Sequence, residues 1–244
     1  MPKKHRIDQI LVQRSFFESR TDAQKAVLAG FVKASSQIVK KSNQLFDLDI
    51  PIEILQKKKY VSRGGDKLEA ALHEFQINPE GDIALDVGSS TGGFTDCLLQ
   101  KGAKKVYAVD VGHDQFHYEL RKNPKVIVLE KVNARYLEKK DFPEKFNLIT
   151  IDVSFISLEK ILPAVLPLLA PGGKILTLVK PQFEVGQECV GKGGVVRSQQ
   201  DRLDAVQKVR DFSKTLPLED LGMFQSPLKG PAGNIEYFIY LKKN

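Results

Sequence analysis

Cysteine is scarce in this sequence. The 244 residues include only two cysteines, Cys97 and Cys189, which cannot build a disulfide framework or a cysteine-rich metal site. A reducing, cytoplasmic compartment is therefore the simpler interpretation. The histidines show no metal-ligand pattern either, because His113 and His117 lack the intervening glutamate of a zinc-binding helix. We expect no metal.

Long apolar segments are also missing. The most apolar run, residues 161–170, is ten residues long and contains two prolines, so it is too short to span a bilayer. No apolar signal core follows the basic N-terminus. These absences argue against a membrane partner and predict a soluble protein.

Positive charge is unevenly distributed along the chain. The net charge is +7, and residues 1–60 hold 12 lysines and arginines against 6 acidic residues. The other residues hold 25 basic against 24 acidic, so nearly all of the excess lies in the first quarter. Such a surplus favours a polyanionic partner such as nucleic acid. A solvated basic face that binds nothing would produce the same pattern, and charge alone does not separate the two.

The composition changes near residues 56–66, where a lysine run is followed by a Ser-Arg-Gly-Gly segment. Charge runs and paired glycines are typical of connecting segments. We therefore predict a small domain over 1–58, a linker over 59–66 and a larger domain over 67–244.

Two helices and several short strands are predicted in the small domain. Apolar spacing favours a helix within 6–17, and Ser19 or Thr21 is expected to cap a second helix that ends at Gly30. The strands are expected at 31–33, 37–39 and 50–54.

The larger domain alternates short valine- and isoleucine-rich runs with helix-like segments. This alternation predicts an α/β fold with a parallel sheet covered by helices on both faces. The strands are predicted at 83–87, 106–111, 126–129, 148–153 and 175–179. The helices are predicted at about 93–101, 113–122 and 157–169. Two late apolar runs, near 218–225 and 235–241, are expected to add antiparallel edge strands.

A glycine-rich loop, residues 88–94, follows the first of these strands. Its spacing is neither that of a dinucleotide loop nor that of a P-loop. Asp86 and Asp110 end consecutive strands, where Asp86 suits an ammonium or sulfonium group and Asp110 suits ribose hydroxyls. Either aspartate alone could be a cap or turn residue, but both around a glycine turn predict a cofactor site.

Residues 85–97 resemble the S-adenosylmethionine loop of the TlyA family of 2′-O-ribose rRNA methyltransferases, often labelled hemolysins, whose second domain is similar to FtsJ-type methyltransferases. Further matching segments lie at 60–70, 152–157, 180–184, 191–197 and 233–236. The sequence departs from the family pattern at Ser89 and Asp66, and neither departure removes a needed group.

The resemblance implies a fold, a cofactor and a substrate. The fold is a Rossmann-like methyltransferase sheet, mostly parallel with an antiparallel strand at the end, preceded by a small α+β RNA-binding domain. The cofactor is S-adenosylmethionine and the partner is RNA, in particular rRNA or ribosomal subunits. The implied cofactor-binding residues are Asp86, Gly88, Ser89, Ser90, Thr91, Gly92, Gly93, Phe94, Asp110 and Asn133.

The order of helices and strands in residues 4–55 resembles the RNA-binding fold of ribosomal small-subunit protein four. In that fold, basic residues near the second helix face RNA phosphates. The residues that inherit this role by resemblance, together with an arginine from the predicted linker, are Arg6, Arg20, Lys25, Lys33 and Arg63. Any one of them could instead be a plain surface charge.

FtsJ-like enzymes use a Lys-Asp-Lys-Glu tetrad, and the matching positions are Lys67, Asp152, Lys180 and Glu236. A ribose hydroxyl must lose its proton as it accepts a methyl group, so the site needs a base or a cation that stabilises the alkoxide. We assign Lys180 as the base, oriented by the two carboxylates. Lys67 then either holds the ribose or makes Lys180 easier to deprotonate.

Other functions remain to be weighed. A non-catalytic, ribosome-associated RNA-binding factor could retain this fold, although a complete tetrad argues against it. A membrane-lytic hemolysin would need an amphipathic cationic helix, a signal sequence or a spanning segment, and none is evident. The glycine spacing disfavours a Rossmann oxidoreductase. Phe155 and Phe183 follow catalytic strand ends, where stacking on a base and core packing are both open.

Overall fold

The structure, a computed structural model, describes residues 4–55 and 59–244. The chain divides into two compact units, Met1–Lys58 and Lys59–Asn244. They are called the N-terminal unit and the C-terminal unit below, and each is described by itself.

The N-terminal unit contains two short helices and two small sheets. Its elements are β1 (His5–Arg6), α1 (Ile7–Gln13), α2 (Arg20–Leu28), β2 (Val32–Ala34), β3 (Gln37–Ile38), β4 (Leu45–Phe46) and β5 (Ile52–Ile54). One sheet has the antiparallel order β3-β2-β5, and β1 pairs with β4. Ser19, rather than Thr21, caps α2 by accepting a hydrogen bond from the backbone N–H of Asp22 at 3.1 Å. Gly30 follows the helix with a φ of +74°, as expected at this position.

The C-terminal unit is built on a seven-stranded sheet. Its strands are β6 (Ile83–Val87), β7 (Lys105–Val109), β8 (Val126–Leu129), β9 (Phe146–Ile151), β10 (Leu169–Val179), β11 (Leu218–Gln225) and β12 (Tyr237–Lys243). The spatial order is β11-β12-β10-β9-β6-β7-β8, and β6 to β10 pair in parallel. The mostly parallel sheet expected from the sequence is confirmed.

The two late strands differ in detail from the prediction. β12 runs antiparallel to both β10 and β11 and lies between them, so it is an internal strand. β11 forms the edge and runs in the same direction as β10. Only β12 therefore opposes the rest of the sheet.

Five helices belong to the C-terminal unit: α3 (Arg63–Glu74), α4 (Gly93–Gln100), α5 (Tyr118–Lys122), α6 (Leu162–Val165) and α7 (Gln199–Ser213). Alternate residues of the strands point to opposite faces of the sheet and pack into two separate cores, one with α3 and α4 and the other with α6 and α7. The helix expected over 157–169 is split into α6 and two 3₁₀ turns, because it contains two prolines that cannot supply helical N–H donors. α7 has no counterpart among the helices predicted from the sequence.

Residues 59–66 are not a linker. Tyr60 is buried in the core beside α3, and Ser62 caps that helix by accepting a hydrogen bond from the N–H of Gly64. A side chain at Gly65 would collide with the Tyr60 ring, so this glycine serves packing rather than chain flexibility. Lys67 consequently lies one turn into α3 instead of opening it. Residues 56–58 of the charge run lie outside the described residues.

Within the described ranges, no helix has both the length and the apolar character needed to cross a membrane.

Candidate active site

A lysine and an aspartate meet where two neighbouring parallel strands end. Asp152 directly follows β9 and Lys180 directly follows β10, so the topology brings both to the carboxyl edge of the sheet. Lys180 Nζ lies 2.6 Å from Asp152 Oδ1. It also donates a hydrogen bond to Ser154 Oγ at 2.9 Å. The Lys180 amine is therefore held by an ion pair with Asp152 and a hydrogen bond to Ser154, both in the loop after β9.

A second lysine–carboxylate pair is buried nearby. Lys67 Nζ of α3 lies 2.6 Å from Oε2 of Glu236, which directly precedes β12. The two side chains are 8% and 0% exposed, respectively. Glu236 Oε1 has no hydrogen-bond partner among the described residues, and it lies against Gly230, where a side chain would collide with it. Burial of this pair requires both partners, because either charge alone would be uncompensated.

The four side chains line one cavity. The cavity is also lined by the N-terminal turn of α3, including Arg63, and by the glycine-rich loop of residues 88–94. A second cavity shares four residues with the first and extends along the ends of β7 and β8. The shared residues are Gly88, Ser90, Asp152 and Ser154.

Two glycines of the glycine-rich loop have a positive φ, and each packs too closely against a different neighbour to carry a side chain. Gly88 has a φ of +83°, and a side chain there would collide with the carbonyl of Asp152. Gly92 has a φ of +92° and faces Leu120 and Phe116 rather than either cavity. The loop residues that line the first cavity are Gly88, Ser89, Ser90, Thr91, Gly93 and Phe94.

Asp110 faces the second cavity with its carboxylate fixed by backbone donors. The N–H groups of Ser90 and Gly112 each donate to it at 2.7 Å. Asn133 lines the same cavity, and its Oδ1 accepts a hydrogen bond from the N–H of Arg135 at 3.0 Å. Both residues thus line a cavity that also includes Gly88 and Ser90 of the glycine-rich loop.

Asp86 differs from its sequence prediction. Its side chain is fully buried beneath the loop, where Oδ2 accepts from Thr95 Oγ1 at 2.7 Å and Oδ1 from Thr150 Oγ1 at 3.2 Å. It lines neither cavity. Burial, together with the nearby charge of Asp152, raises the pKa of Asp86 to about 7 against the hydrogen bonds from the threonines. In this structure the Asp86 carboxylate therefore supports the loop from beneath and faces neither cavity.

Phe155 is exposed at the rim of the second cavity. Its side chain is 89% exposed, and its φ of +62° is unusual for a bulky residue. Its ring lies 4.9 Å from the ring of Phe183, with the planes tilted by 49°. Core packing is therefore excluded for Phe155, which offers an aromatic face to solvent instead.

Glu184 lies outside both cavities but joins the two segments that carry the Lys180–Asp152 pair. Its buried carboxylate accepts hydrogen bonds from Ser157 Oγ at 2.7 Å and from the N–H of Leu158 at 2.8 Å. It thereby joins the segment after β10, which carries Lys180, to the loop after β9, which carries Asp152. Glu184 closes one of the segments that resemble the TlyA family, which was the only available signal.

The basic residues predicted to contact RNA have different surroundings. Arg6 and Arg20 both pair with Asp8, an acidic residue that the sequence analysis did not consider. Lys33 pairs with Glu53 at 3.2 Å, and Lys25 lies in the last turn of α2. Arg63 belongs to the C-terminal unit and lines the tetrad cavity. Residues 4–55 and 59–244 contain no group of three or more side chains that could hold a metal ion.

Comparison with known proteins decides the family. The sequence model of the family described as FtsJ-like methyltransferase matches residues 60–243. The chain belongs to the FtsJ-like methyltransferase family. The matched region includes the glycine-rich loop and all four tetrad positions.

Three relatives match this chain over nearly its full length, so the similarity includes the N-terminal unit. A Bacillus subtilis protein provisionally named rRNA methyltransferase YqxC is 45% identical over 98% of this chain and 86% of its own length. The 16S/23S rRNA (cytidine-2′-O)-methyltransferase TlyA of Mycobacterium tuberculosis is 41% identical over 99% of this chain and 91% of its own. A solved Streptococcus thermophilus structure that carries the hemolysin name is 41% identical, covers 100% of this chain and 90% of its own, and has a TM-score of 0.78.

Proposed function

We propose that this chain transfers a methyl group from S-adenosylmethionine to a ribose 2′-hydroxyl of structured RNA, specifically ribosomal RNA. The observation that carries the proposal is the pair of lysine–carboxylate contacts in the first cavity, which shares four residues with the second cavity. The Mycobacterium tuberculosis relative is named a cytidine-2′-O-methyltransferase, which supports the same reaction and favours cytidine as the target.

The residues around the second cavity fit S-adenosylmethionine. Gly88 has no side chain and permits close approach of a ligand to the backbone. Asp110 presents a preorganised carboxylate to ribose hydroxyls, and Asn133 lines the adjacent wall. When bound, S-adenosylmethionine would supply an electrophilic methyl group on a sulfonium.

The tetrad residues divide the remaining work. Lys67 is fixed as a buried cation by Glu236, so it stabilises negative charge that develops on the ribose oxygen. Lys180 is held by Asp152 and Ser154 at the point where the two cavities meet, and it accepts the hydroxyl proton once its own amine is neutral. Glu184 keeps the two loops that carry Lys180 and Asp152 in register.

The exposed Phe155 ring suits an RNA substrate. Aromatic side chains stack on unpaired bases regardless of their hydrogen-bonding pattern. A base that leaves its helix to bring its ribose to Lys180 therefore has a stacking surface at the rim of the cavity, supported from behind by Phe183.

Methyl-group labelling tests the proposed reaction. The full chain is incubated with methyl-labelled S-adenosylmethionine and separate small- and large-subunit rRNA, with Lys180→Ala as the inactive control. Because a 2′-O-methyl group blocks alkaline cleavage at its ribose, we expect label in alkali-resistant dinucleotides from the wild-type reaction. Label found only in mononucleotides would refute ribose methylation.

Replacing Asp110 with asparagine should weaken S-adenosylmethionine binding by roughly 1–3 kcal/mol, since a charge-assisted hydrogen bond is lost. Isothermal calorimetry on the free protein measures this directly. Asp114→Asn is the matched control, because it makes the same charge change on the same loop outside the cavity. Equal affinities of the two variants would place the ribose contact elsewhere.

A further inference from the structure

Asp8 is a fully buried carboxylate at the start of α1, and four hydrogen bonds converge on it. Its Oδ1 accepts from Arg6 Nε at 3.0 Å. Its Oδ2 accepts from Arg6 Nη2 at 2.9 Å, Arg20 Nη2 at 3.1 Å and Gln24 Nε2 at 2.7 Å. Burial raises the pKa of the Asp8 carboxyl, but the bonds from Arg6, Gln24 and Arg20 more than offset this, so its pKa lies well below the usual range. Asp8 is therefore a stable anion.

The two arginines remain accessible although their partner is buried. Their side chains are 38% and 51% exposed, whereas that of Asp8 is 0% exposed. The contacts with Asp8 use Nε and Nη2 of Arg6 and Nη2 of Arg20, so they do not occupy the other guanidinium N–H donors. Because both Nη2 atoms contact the same oxygen, they lie no more than about 6 Å apart. Donors at this spacing can contact a single phosphate group together.

Two guanidinium groups this close would repel each other and spread into solvent without an anion between them. The bidentate contact also fixes the plane of the Arg6 guanidinium. We propose that Asp8 positions Arg6 and Arg20 as a paired phosphate-binding site for the RNA substrate. The proposal rests on the RNA methyltransferase function proposed above, and it makes Asp8 a positioning residue that does not itself touch RNA.

The direction in which RNA affinity changes on replacing Asp8 distinguishes a positioning role from an effect of net charge. If only net charge mattered, replacing an acidic residue by its amide would strengthen binding to the RNA polyanion. If Asp8 positions the arginines, Asp8→Asn should weaken RNA binding although the protein becomes more positive. Asp49→Asn is the matched control, because it makes the same charge change at an exposed site of the same unit.

The experiment measures the affinity of the full chain for a fixed rRNA fragment across a salt series. We expect Asp8→Asn to bind about tenfold more weakly than wild type, the equivalent of one charge-assisted hydrogen bond. Asp49→Asn should bind equally or up to about twofold more tightly, as expected for one exposed charge. Binding by Asp8→Asn that equals or exceeds that of Asp49→Asn would overturn the proposal.

Arg6→Lys covers the case in which Asp8→Asn fails to fold. Lysine keeps the charge but cannot make the bidentate contact with Asp8, so we expect RNA affinity to fall severalfold at unchanged net charge. Unchanged affinity would show that charge suffices and would also overturn the proposal.

The double variant Arg6→Ala/Arg20→Ala tests the RNA-binding role itself. It should lower the slope of log affinity against log salt by about 1–2, as expected for two lost phosphate contacts. If the slope of the double variant equals that of the wild type, this binding site is rejected. If the wild type still transfers the methyl group in the same assay, the proposed reaction is unaffected.

Discussion

Lys180→Arg should be nearly as inactive in methyl transfer as Lys180→Ala. Arginine preserves the positive charge beside Asp152, but it cannot be deprotonated in a protein and so cannot accept the ribose proton. Loss of a general base lowers the rate of the chemical step by about 10²–10⁴-fold. Lys67→Arg should retain more activity, because Lys67 is proposed to act only as a fixed cation.

Single-turnover methyl transfer at saturating RNA and cofactor is the appropriate measurement, since it removes binding from the comparison. Calorimetry should show that both Lys180 variants still bind S-adenosylmethionine. Substantial activity of Lys180→Arg would exclude the base role. Lys180 would then stabilise the alkoxide electrostatically, and the proton would leave to water or to Asp152.

Asp86→Asn should stabilise the protein above neutral pH. The pKa of Asp86 is raised to about 7 in the folded protein, so between its ordinary unfolded value and pH 7 the folded state holds a proton that the unfolded chain has released. The free energy of unfolding of the wild type therefore falls as pH rises through this window, by up to about 4 kcal/mol. Asparagine cannot ionise, and it has nearly the same shape. Its oxygen still accepts from Thr95, and its NH2 group can donate to the Thr150 hydroxyl, which can accept as well as donate.

Urea unfolding at about pH 4.5 and about pH 8 measures the free energy of unfolding of both proteins. These values lie near the two ends of the pH range in which the folded and unfolded states differ in the protonation of Asp86. The variant and the wild type should be similar in stability at the lower pH, and the variant should be more stable at the higher pH. A difference that does not change with pH would show that Asp86 is ionised in the folded protein throughout. Asp86 would then be a candidate partner for a cationic ligand group after all.

The sequence predicted the parts of the structure that depend on local periodicity and on strand ends. β6 and β8 have the predicted bounds, and Asp152 and Lys180 meet because residues after adjacent parallel strands must lie at one edge. The direction of a buried side chain is a different matter. Asp86 ends a strand like Asp110, but Thr95 and Thr150 hold it beneath the loop, and this partnership is invisible in a linear pattern.

The glycine and charge patterns led to a wrong prediction of the linker over residues 59–66, which belong to the C-terminal unit. Gly64 and Gly65 are typical of a flexible segment, but Gly65 is required by the ring of Tyr60, a contact that forms only in the folded unit. The long helix α7 was missed although Ala205, Val206 and Val209 form a buried stripe, because its other positions are strongly polar. The pairing of Arg6 and Arg20 through Asp8 depends on how α1 and α2 pack, and no spacing rule contains that information.

The position of β12 imposes an order of assembly on the active site. Translation delivers the glycine-rich loop, Lys67, Asp152 and Lys180 before it delivers Glu236, which directly precedes β12. Until then β10 and β11 lack β12, the strand that lies between them. Lys67 also lacks Glu236, the carboxylate with which it forms a buried ion pair. The proposed site is therefore completed only together with β12, and we expect no methyl transfer from a chain truncated before Glu236.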